Sequence, residues 1–241
     1  MIAIESLGPL LALLVLALIQ SILGVGVLLF GTPIFILLGY SFYEVLVLLL
    51  PISAVISTGT FISCRQTIFR NHHYLVLSAV SLIGTVLAVN YLQHVATLLI
   101  AILLSISTLC SSLNIKTLNE FVRRYRTLSV SCLAFLHSIS NQGGVLLVWL
   151  VKLCNVDKTA ARSSIASAYG VLAFTQLITL IFLDIEKFFN TISFANIIVP
   201  VVGFYFGNFL FTKMRQVAYE KLINLAILIF IALLAYQAII K

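Results

Sequence analysis

Residues 8–39 read GPLLALLVLALIQSILGVGVLLFGTPIFILLG and contain no charged side chain. A helix of about 20 apolar residues already crosses the hydrocarbon core of a bilayer, so this run is long for a single crossing. It is interrupted by glycines and by Pro33, which weaken a continuous helix. Broken backbone at membrane depth is tolerated only where it is buried in protein or lines a wet cavity. The run therefore predicts a broken helix pair, and its break is the leading candidate for a functional site.

The rest of the chain shares this apolar character. Hydrophobic residues make up 62% of the 241 residues and charged residues only 9%, whereas a soluble domain has about 25% charged residues. This composition excludes a water-soluble fold. The net charge of +7 does not indicate nucleic-acid binding, because the basic residues lie between apolar runs, where the topology signals of membrane proteins are found.

Eight apolar segments follow one another along the chain, each close to the length of a membrane-crossing helix or longer. Their approximate bounds are 8–39, 42–62, 74–92, 95–113, 127–152, 159–183, 192–211 and 219–240. A basic linker, residues 114–126, separates the first four segments from the last four. We therefore predict an all-α polytopic membrane protein with a first membrane repeat at 1–113 and a second at 127–241.

The two halves of the chain resemble each other. When they are brought into register, Gly31 falls on Gly144. Both halves later carry a pair of small residues four positions apart, at 84–88 and 203–207. Such pairs let membrane helices approach closely. Their shared order indicates a duplication.

Two acidic residues also correspond between the halves, Glu44 and Asp157. They would suit proton coupling, but their local sequence favours another role. Ser41-Phe42-Tyr43-Glu44 has the form of a capping box, and Asp157 stands at a predicted helix start. We therefore predict that both residues cap helices.

The positions of the basic residues predict how the segments cross. If all eight crossed, the 14 Lys and Arg residues would divide almost evenly between the two sides. If segments one and five instead enter the membrane and return to the same side, all basic residues except Lys187 and Lys241 lie on one side of the membrane. The positive-inside rule favours the second arrangement, with a cytoplasmic linker and both termini outside. Each repeat is then a re-entrant hairpin plus three crossings, an odd number, so the two repeats are inverted.

Each break is predicted to expose the N-terminus of a half-helix. Thr32-Pro33 has the form of an N-cap and a first helical residue, and Gly143-Gly144 opens the second half-helix. Free N–H groups and the positive end of the helix dipole attract anions without a charged side chain. Two such ends meeting near the membrane midplane would hold an oxyanion. The alternative is that these glycines only serve close helix packing.

Polar side chains near the breaks extend this candidate site. His137 lies deep within an apolar segment, Ser53 and Ser57 share a helix face, and Arg162 lies inside a segment boundary, where arginine needs a partner. Each has a structural alternative: a carbonyl can satisfy the histidine, the serines can bond their own helix backbone, and the arginine can snorkel to lipid phosphate. The predicted substrate-binding residues are Gly24, Gly26, Gly31, Thr32, Ser53, Ser57, His137, Asn141, Gln142, Gly143, Gly144, Arg162, Ser164 and Ser167.

Two stretches carry a resemblance to a known family. Residues 24–33, GVGVLLFGTP, form a glycine-rich run that ends in proline, and residues 141–149, NQGGVLLVW, place two glycines before an apolar and aromatic stretch. These motifs resemble the repeat signatures of the sulfite exporter TauE/SafE family, with Val27 and Leu28 where the family often has glycine. The resemblance covers most of the chain. It implies transport of sulfite, organosulfonates or related small anions across the bacterial cytoplasmic membrane, driven by an ion gradient.

We therefore expect a secondary transporter of the inner membrane that moves a small anion, either a sulfur oxyanion or an organosulfonate. A non-transporting membrane scaffold or assembly protein and an anion channel are the alternatives. The sequence contains no metal-ligand cluster, phosphate loop or nucleophile motif, so we expect no enzymatic activity, no cofactor and no metal. Besides the substrate, the expected partners are the lipid bilayer and a coupling ion, either a proton or sodium.

Overall fold

A computed structural model describes residues 7–91, 116–192 and 195–240 of the protein. Every regular element in these ranges is an α-helix. In chain order the helices are α1 (Leu7–Leu23), α2 (Val27–Leu37), α3 (Phe42–Cys64), α4 (Asn71–Tyr91), α5 (Lys116–Arg124), α6 (Arg126–Ser140), α7 (Gly144–Lys152), α8 (Lys158–Leu183), α9 (Ile185–Thr191), α10 (Ala195–Lys213) and α11 (Gln216–Ile240). The predicted fourth segment, residues 95–113, lies outside the described residues.

Three helices of the described chain, α3, α4 and α8, are long and apolar enough to cross a membrane. The helices α1 and α2, and α10 from Ile198 onward, are apolar but shorter. Most residues of α3 and α8 are buried inside the protein, whereas fewer than a third of those in α4 are. The prediction of an all-α fold is confirmed for the described ranges, and the central helices are α3 and α8.

Both helix caps predicted from the sequence are present. The Ser41 backbone N–H donates to the Glu44 carboxylate at 2.8 Å, and the Ser41 hydroxyl accepts the Glu44 N–H at 3.4 Å. This capping box starts α3. At the start of α8 the Asp157 carboxylate accepts the Ala160 N–H at 2.8 Å. Both acidic residues therefore stabilise helix starts.

The helices α1 and α2 form an antiparallel pair rather than one continuous helix. Between them Gly24 adopts a φ of 85°, which turns the chain back. Gly26 then lies against Gln20, and further along α2 Gly31 lies against Leu16. As the chain advances along α2, it therefore contacts successively earlier residues of α1, as a hairpin requires.

The first break lies earlier than predicted. The helix α2 begins at Val27, with Gly26 at the N-cap position, so Thr32 and Pro33 lie inside the helix instead of starting it. The reversal needs a residue in the left-handed region, which Gly24 supplies at no steric cost. A proline in an apolar helix kinks it without reversing the chain. The prediction that Thr32 caps the half-helix is therefore wrong.

The helices α6 and α7 repeat this arrangement. The first of them ends at Ser140, Asn141 adopts a left-handed φ of 60°, and the second begins at Gly144. The guanidinium of Arg123, which precedes α6, donates to the carbonyl of Leu153, which follows α7, at 2.7 Å. The chain therefore enters and leaves this pair at the same end of the molecule.

The helices pack around a central pair. The helices α3 and α8 lie against each other, α1 lies against α10, and α4 lies against α6. In addition, α10 contacts α3, and α4 contacts α8. Glycines bring the outer pairs close together: Gly203 lies on Ala17, and Gly84 lies on Ser138. The glycines of both predicted small-residue pairs thus lie at helix interfaces, the usual role of such residues in membrane proteins.

One end of the helix bundle, which we call the basic end, collects the basic loops. Arg126 donates to the Ile68 carbonyl at 3.2 Å, which joins the linker to the loop between α3 and α4. The backbone N–H of Lys158 donates to the Gln216 side chain at 2.7 Å, which joins the starts of α8 and α11. The linker also bonds the end of α7, as described above. The basic segments predicted to share one side of a membrane therefore lie next to one another.

Candidate functional site

The first break is built around a buried glutamine. The amide nitrogen of Gln20 donates to the Ser53 hydroxyl at 2.9 Å and to the Ser57 hydroxyl at 3.1 Å. Its amide oxygen accepts the backbone N–H of Val27 at 3.0 Å. This side chain therefore caps the start of α2 and ties the break to α3.

The structure places Ser53 and Ser57 on the face of α3 that is turned toward the first break. Sequence reasoning selected both serines but missed Gln20. The signal was available, because Gln20 is the only amide side chain in residues 8–39, and a buried polar group in an apolar segment needs a partner. Since both hydroxyls contact Gln20, they shape the break in this conformation.

The second break faces the first. Val25, which lies between the two glycines of the first break, packs on Gly144, and a Cβ added there would lie 2.5 Å from Val25 Cγ2. Tyr169 of α8 lies on the same glycine, with its hydroxyl 3.2 Å from the Cβ position. This hydroxyl is buried and faces the backbone of Leu29 in α2. The fold therefore brings both breaks and a polar side chain of α8 to one place.

His137 is buried beside the second break. Its ring centroid lies 5.1 Å from that of Tyr169, and Gln176 lies next to it. The imidazole faces the Gln176 side chain, and the amide oxygens of Gln142 and Gln176 lack any other partner. Gln176 donates to the Asn141 side chain at 3.1 Å. These polar groups meet around the second break with hydrogen-bonding capacity to spare.

The two break sequences correspond in a different register from the predicted one. Residues 20–26 read QSILGVG, and residues 137–143 read HSISNQG. Each stretch runs from a polar side chain beside the break to the glycine before the next helix. Gly31 and Gly144, which the predicted register aligns, differ in position, because Gly31 lies within α2 and packs against α3 whereas Gly144 starts α7. The hydroxyl of Thr32, its neighbour, is buried without a partner.

Arg162 lies at the first break and is completely buried, with 0% of its surface exposed. Its backbone carbonyl lies against Gly24. One terminal nitrogen, Nη1, donates to the Asn208 side chain at 3.0 Å, and the guanidinium carbon lies 4.1 Å from the ring centroid of Phe211. The other two nitrogens, Nε and Nη2, have no hydrogen-bond partner. Within the described parts of the chain, no carboxylate pairs with this charge.

This environment is costly for an arginine. Burying a cation without a countercharge costs several kcal/mol, and ionisable groups are kept at such depth for function. Snorkelling to lipid phosphate does not occur, since the Arg162 side chain ends on Asn208 and reaches no surface. The Nε–H and Nη2–H groups lie on one edge of the guanidinium plane, and this fork binds two oxygens of one oxyanion.

Two other predicted site residues are turned away from the breaks. The Ser164 hydroxyl accepts the Ile68 N–H at 3.0 Å, and the Ser167 hydroxyl lies 2.8 Å from that of Tyr74. These bonds join α8 to the loop before α4 and to α4 itself, so both hydroxyls are occupied there. The adjacent Ser163 hydroxyl is buried without a partner. Helical spacing showed that the predicted serines share a face, but not which neighbour that face meets.

No family model matches this chain, and no curated protein or solved structure does either. The functional inference therefore depends on the geometry of the site. The two helix starts meet beside Tyr169 of α8, and the buried Arg162 guanidinium, with two unpartnered nitrogens, lies against Asn208 and Phe211 of α10. Such a set of hydrogen-bond donors is suited to a small oxyanion.

Proposed function

We propose that this chain is a multi-pass transporter of the inner membrane that moves a small oxyanion. The observation that carries the proposal is the Arg162 guanidinium, which is buried against Asn208 and Phe211 with two free N–H groups and no carboxylate partner among the described residues. An anion with two oxygens on one edge would complete these hydrogen bonds and neutralise the charge. Sulfur oxyanions and organosulfonates have such an edge. This agrees with the resemblance to the TauE/SafE family, and membership of that family is part of the proposal.

The closure of the site supports a carrier rather than an open channel. Gln20, His137, Asn141 and Arg162 are each 0% exposed. A carrier with alternating access passes through an occluded state of this kind, with its substrate site near the midplane. Tyr219 lines a cavity of about 310 Å³ at the basic end, and its hydroxyl donates to the carbonyl of Leu23, next to the first break, at 3.2 Å. In this proposal Tyr219 closes the inner route to the site.

The proposed architecture is a pair of inverted repeats at 1–113 and 127–241, joined by the cytoplasmic linker. Matched helix contacts support it: α1 packs on α10 as α4 packs on α6, and α3 meets α10 as α8 meets α4. The central contact between α3 and α8 would then lie on the pseudo-twofold axis. Half-helices meeting at such an axis form the substrate site in many secondary transporters. The driving force in this proposal is a proton or sodium gradient.

A flux measurement tests the proposed function. Purified protein in proteoliposomes is expected to take up labelled sulfite at a rate that saturates and depends on a proton or sodium gradient. Thiosulfate or a short sulfonate should compete with it. Flux that rises linearly with concentration would favour a channel. Absence of flux for all three anions would favour a membrane scaffold.

The membrane topology gives a separate prediction. Glu120→Cys in the linker and Asn155→Cys after α7, each placed in a variant without the four native cysteines, should both be protected from an impermeant thiol reagent in intact cells. Both should react after permeabilisation, because the Arg123–Leu153 bond places them at one end of the molecule. Glu186→Cys, beyond the far end of α8, is the control that should react from outside. Reaction of position 155 alone from outside would show that α6 and α7 together cross the membrane.

A further inference from the structure

A second polar site lies at the basic end, separate from the breaks. A cavity of about 490 Å³ opens between the loop before α4 and the junction of α5 with α6. Its lining includes the cations Arg70, Arg124 and Arg126 and the imidazoles of His72 and His73. None of the lining residues in the described chain is acidic. We call this cavity the basic pocket.

The donors of the basic pocket are held in place by the fold. Arg126 donates through Nη2 to the Ile68 carbonyl at 3.2 Å and stacks 5.6 Å above the Phe69 ring, while its buried Nε has no partner. His73 is only 4% exposed, and its Nδ1 accepts the Arg70 N–H at 3.1 Å. The proton of the neutral ring is therefore on Nε2, which makes that nitrogen a donor. Fixed donors of this kind cost less entropy on binding than mobile surface chains do.

The surroundings of the basic pocket indicate a lipid rather than a soluble anion. Leu128 lines the pocket and is 54% exposed, and Leu75, in the second turn of α4, is 71% exposed. Apolar surface thus begins directly beside the cations. Acyl chains attached to a phosphate in the pocket would lie along these leucines, whereas an inorganic anion would make no contact with them. Basic pockets on the cytoplasmic side of membrane helices are a known form of headgroup site.

We infer that the basic pocket binds the phosphate headgroup of an anionic phospholipid of the inner leaflet, with its acyl chains along Leu75 and Leu128. The site is distinct from the proposed substrate site, since its ligand contacts the loop before α4 and the linker rather than Arg162. Binding there would hold together the linker and the α3–α4 loop, which Arg126 already joins. The inference therefore stands or falls independently of anion transport.

Thermal unfolding of the purified protein in an uncharged detergent tests whether the ligand of the basic pocket is a lipid or a soluble anion. Titration with phosphatidylglycerol should raise the unfolding temperature in a saturable manner. Phosphatidylcholine, and inorganic phosphate at the same concentration, should produce no comparable rise. An equal rise with phosphatidylcholine would show that headgroup charge is irrelevant. An equal rise with phosphate alone would assign the pocket to a soluble anion, and either result overturns the inference.

A matched pair of double variants tests the location. Arg70→Gln with Arg124→Gln removes two exposed pocket residues, and phosphatidylglycerol affinity should fall about 25-fold, since each basic residue near an anionic headgroup contributes about fivefold. Arg215→Gln with Lys221→Gln removes equal charge from exposed positions outside the pocket. This control should retain the affinity of the unmodified protein. Equal losses in both variants, or no loss in the pocket variant, would contradict the inference.

Discussion

Replacing Arg162 with methionine should abolish anion flux without lowering the thermal stability of the protein. In the unmodified protein, the Nε and Nη2 groups of Arg162 would donate two charge-assisted hydrogen bonds to the substrate. At about 1.5 kcal/mol each, their loss lowers the transport rate about 100-fold at limiting substrate. The folded state loses little, because exchanging a buried unpaired cation for an apolar side chain of similar length is neutral or stabilising. Initial uptake of labelled sulfite into proteoliposomes and thermal unfolding in detergent measure the two effects.

Two further variants make this result specific. Arg215→Met removes an exposed arginine at the basic end and should leave flux unchanged. Arg162→Lys keeps the positive charge but not the planar fork, so its flux should lie between those of Arg162→Met and the unmodified protein. Normal flux in Arg162→Met would remove the proposed anion site. A large loss of stability in the same variant would instead assign Arg162 a structural role.

Substituting Gly144 by leucine should prevent folding rather than merely block transport. From the sequence, leucine at this predicted half-helix start would only block the approach of an anion to the N–H groups. The structure shows Val25 2.5 Å and Tyr169 3.2 Å from the position of the first added carbon. Overpacking a close contact costs about 1–3 kcal/mol for small additions, and leucine adds three more carbons than alanine. The yield of monodisperse protein after extraction from the membrane is the measurement.

A double-mutant cycle identifies the obstacle. Gly144→Ala alone should destabilise the protein by about 1–3 kcal/mol, and adding Val25→Ala should recover most of this loss. Gly8→Ala is the matched control, because a Cβ added there has nothing within 4 Å. It should leave stability unchanged or slightly higher. Failure of Val25→Ala to rescue would show that the two breaks do not press on each other at this point.

The distribution of Lys and Arg predicts that the linker and the loop after α7 lie on one side of a membrane, and in the structure the bond between Arg123 and Leu153 joins these two segments. Charge placement is informative because each buried charge is costly in a bilayer, so it constrains every loop at once. Thr32-Pro33 was a poorer guide. Its cap pattern is local, and Gly24 with the Gln20 side chain provides a competing helix start upstream.

The candidate site was predictable in composition but not in its pairings. Glycines at both breaks, His137 and Arg162 were selected because polar or helix-breaking residues are costly in apolar segments. The partner of Arg162 is Asn208, on a helix far along the chain. The bond from Ile68 to Ser164 is likewise long-range. Such partners depend on how α8 is rotated against its neighbours, which periodicity along a single helix does not specify.

The packing of α1 on α10 also governs how the protein is made. In this packing the Ser21 hydroxyl of α1 donates to the Phe204 carbonyl of α10 at 3.1 Å, and the two residues are 183 positions apart in the chain. At about 5–20 residues per second, translation needs about 10–40 s to cover that separation. During this interval the first broken pair lacks the helix that covers it. We therefore expect the nascent hairpin to stay with the insertion machinery until the last third of the chain has emerged.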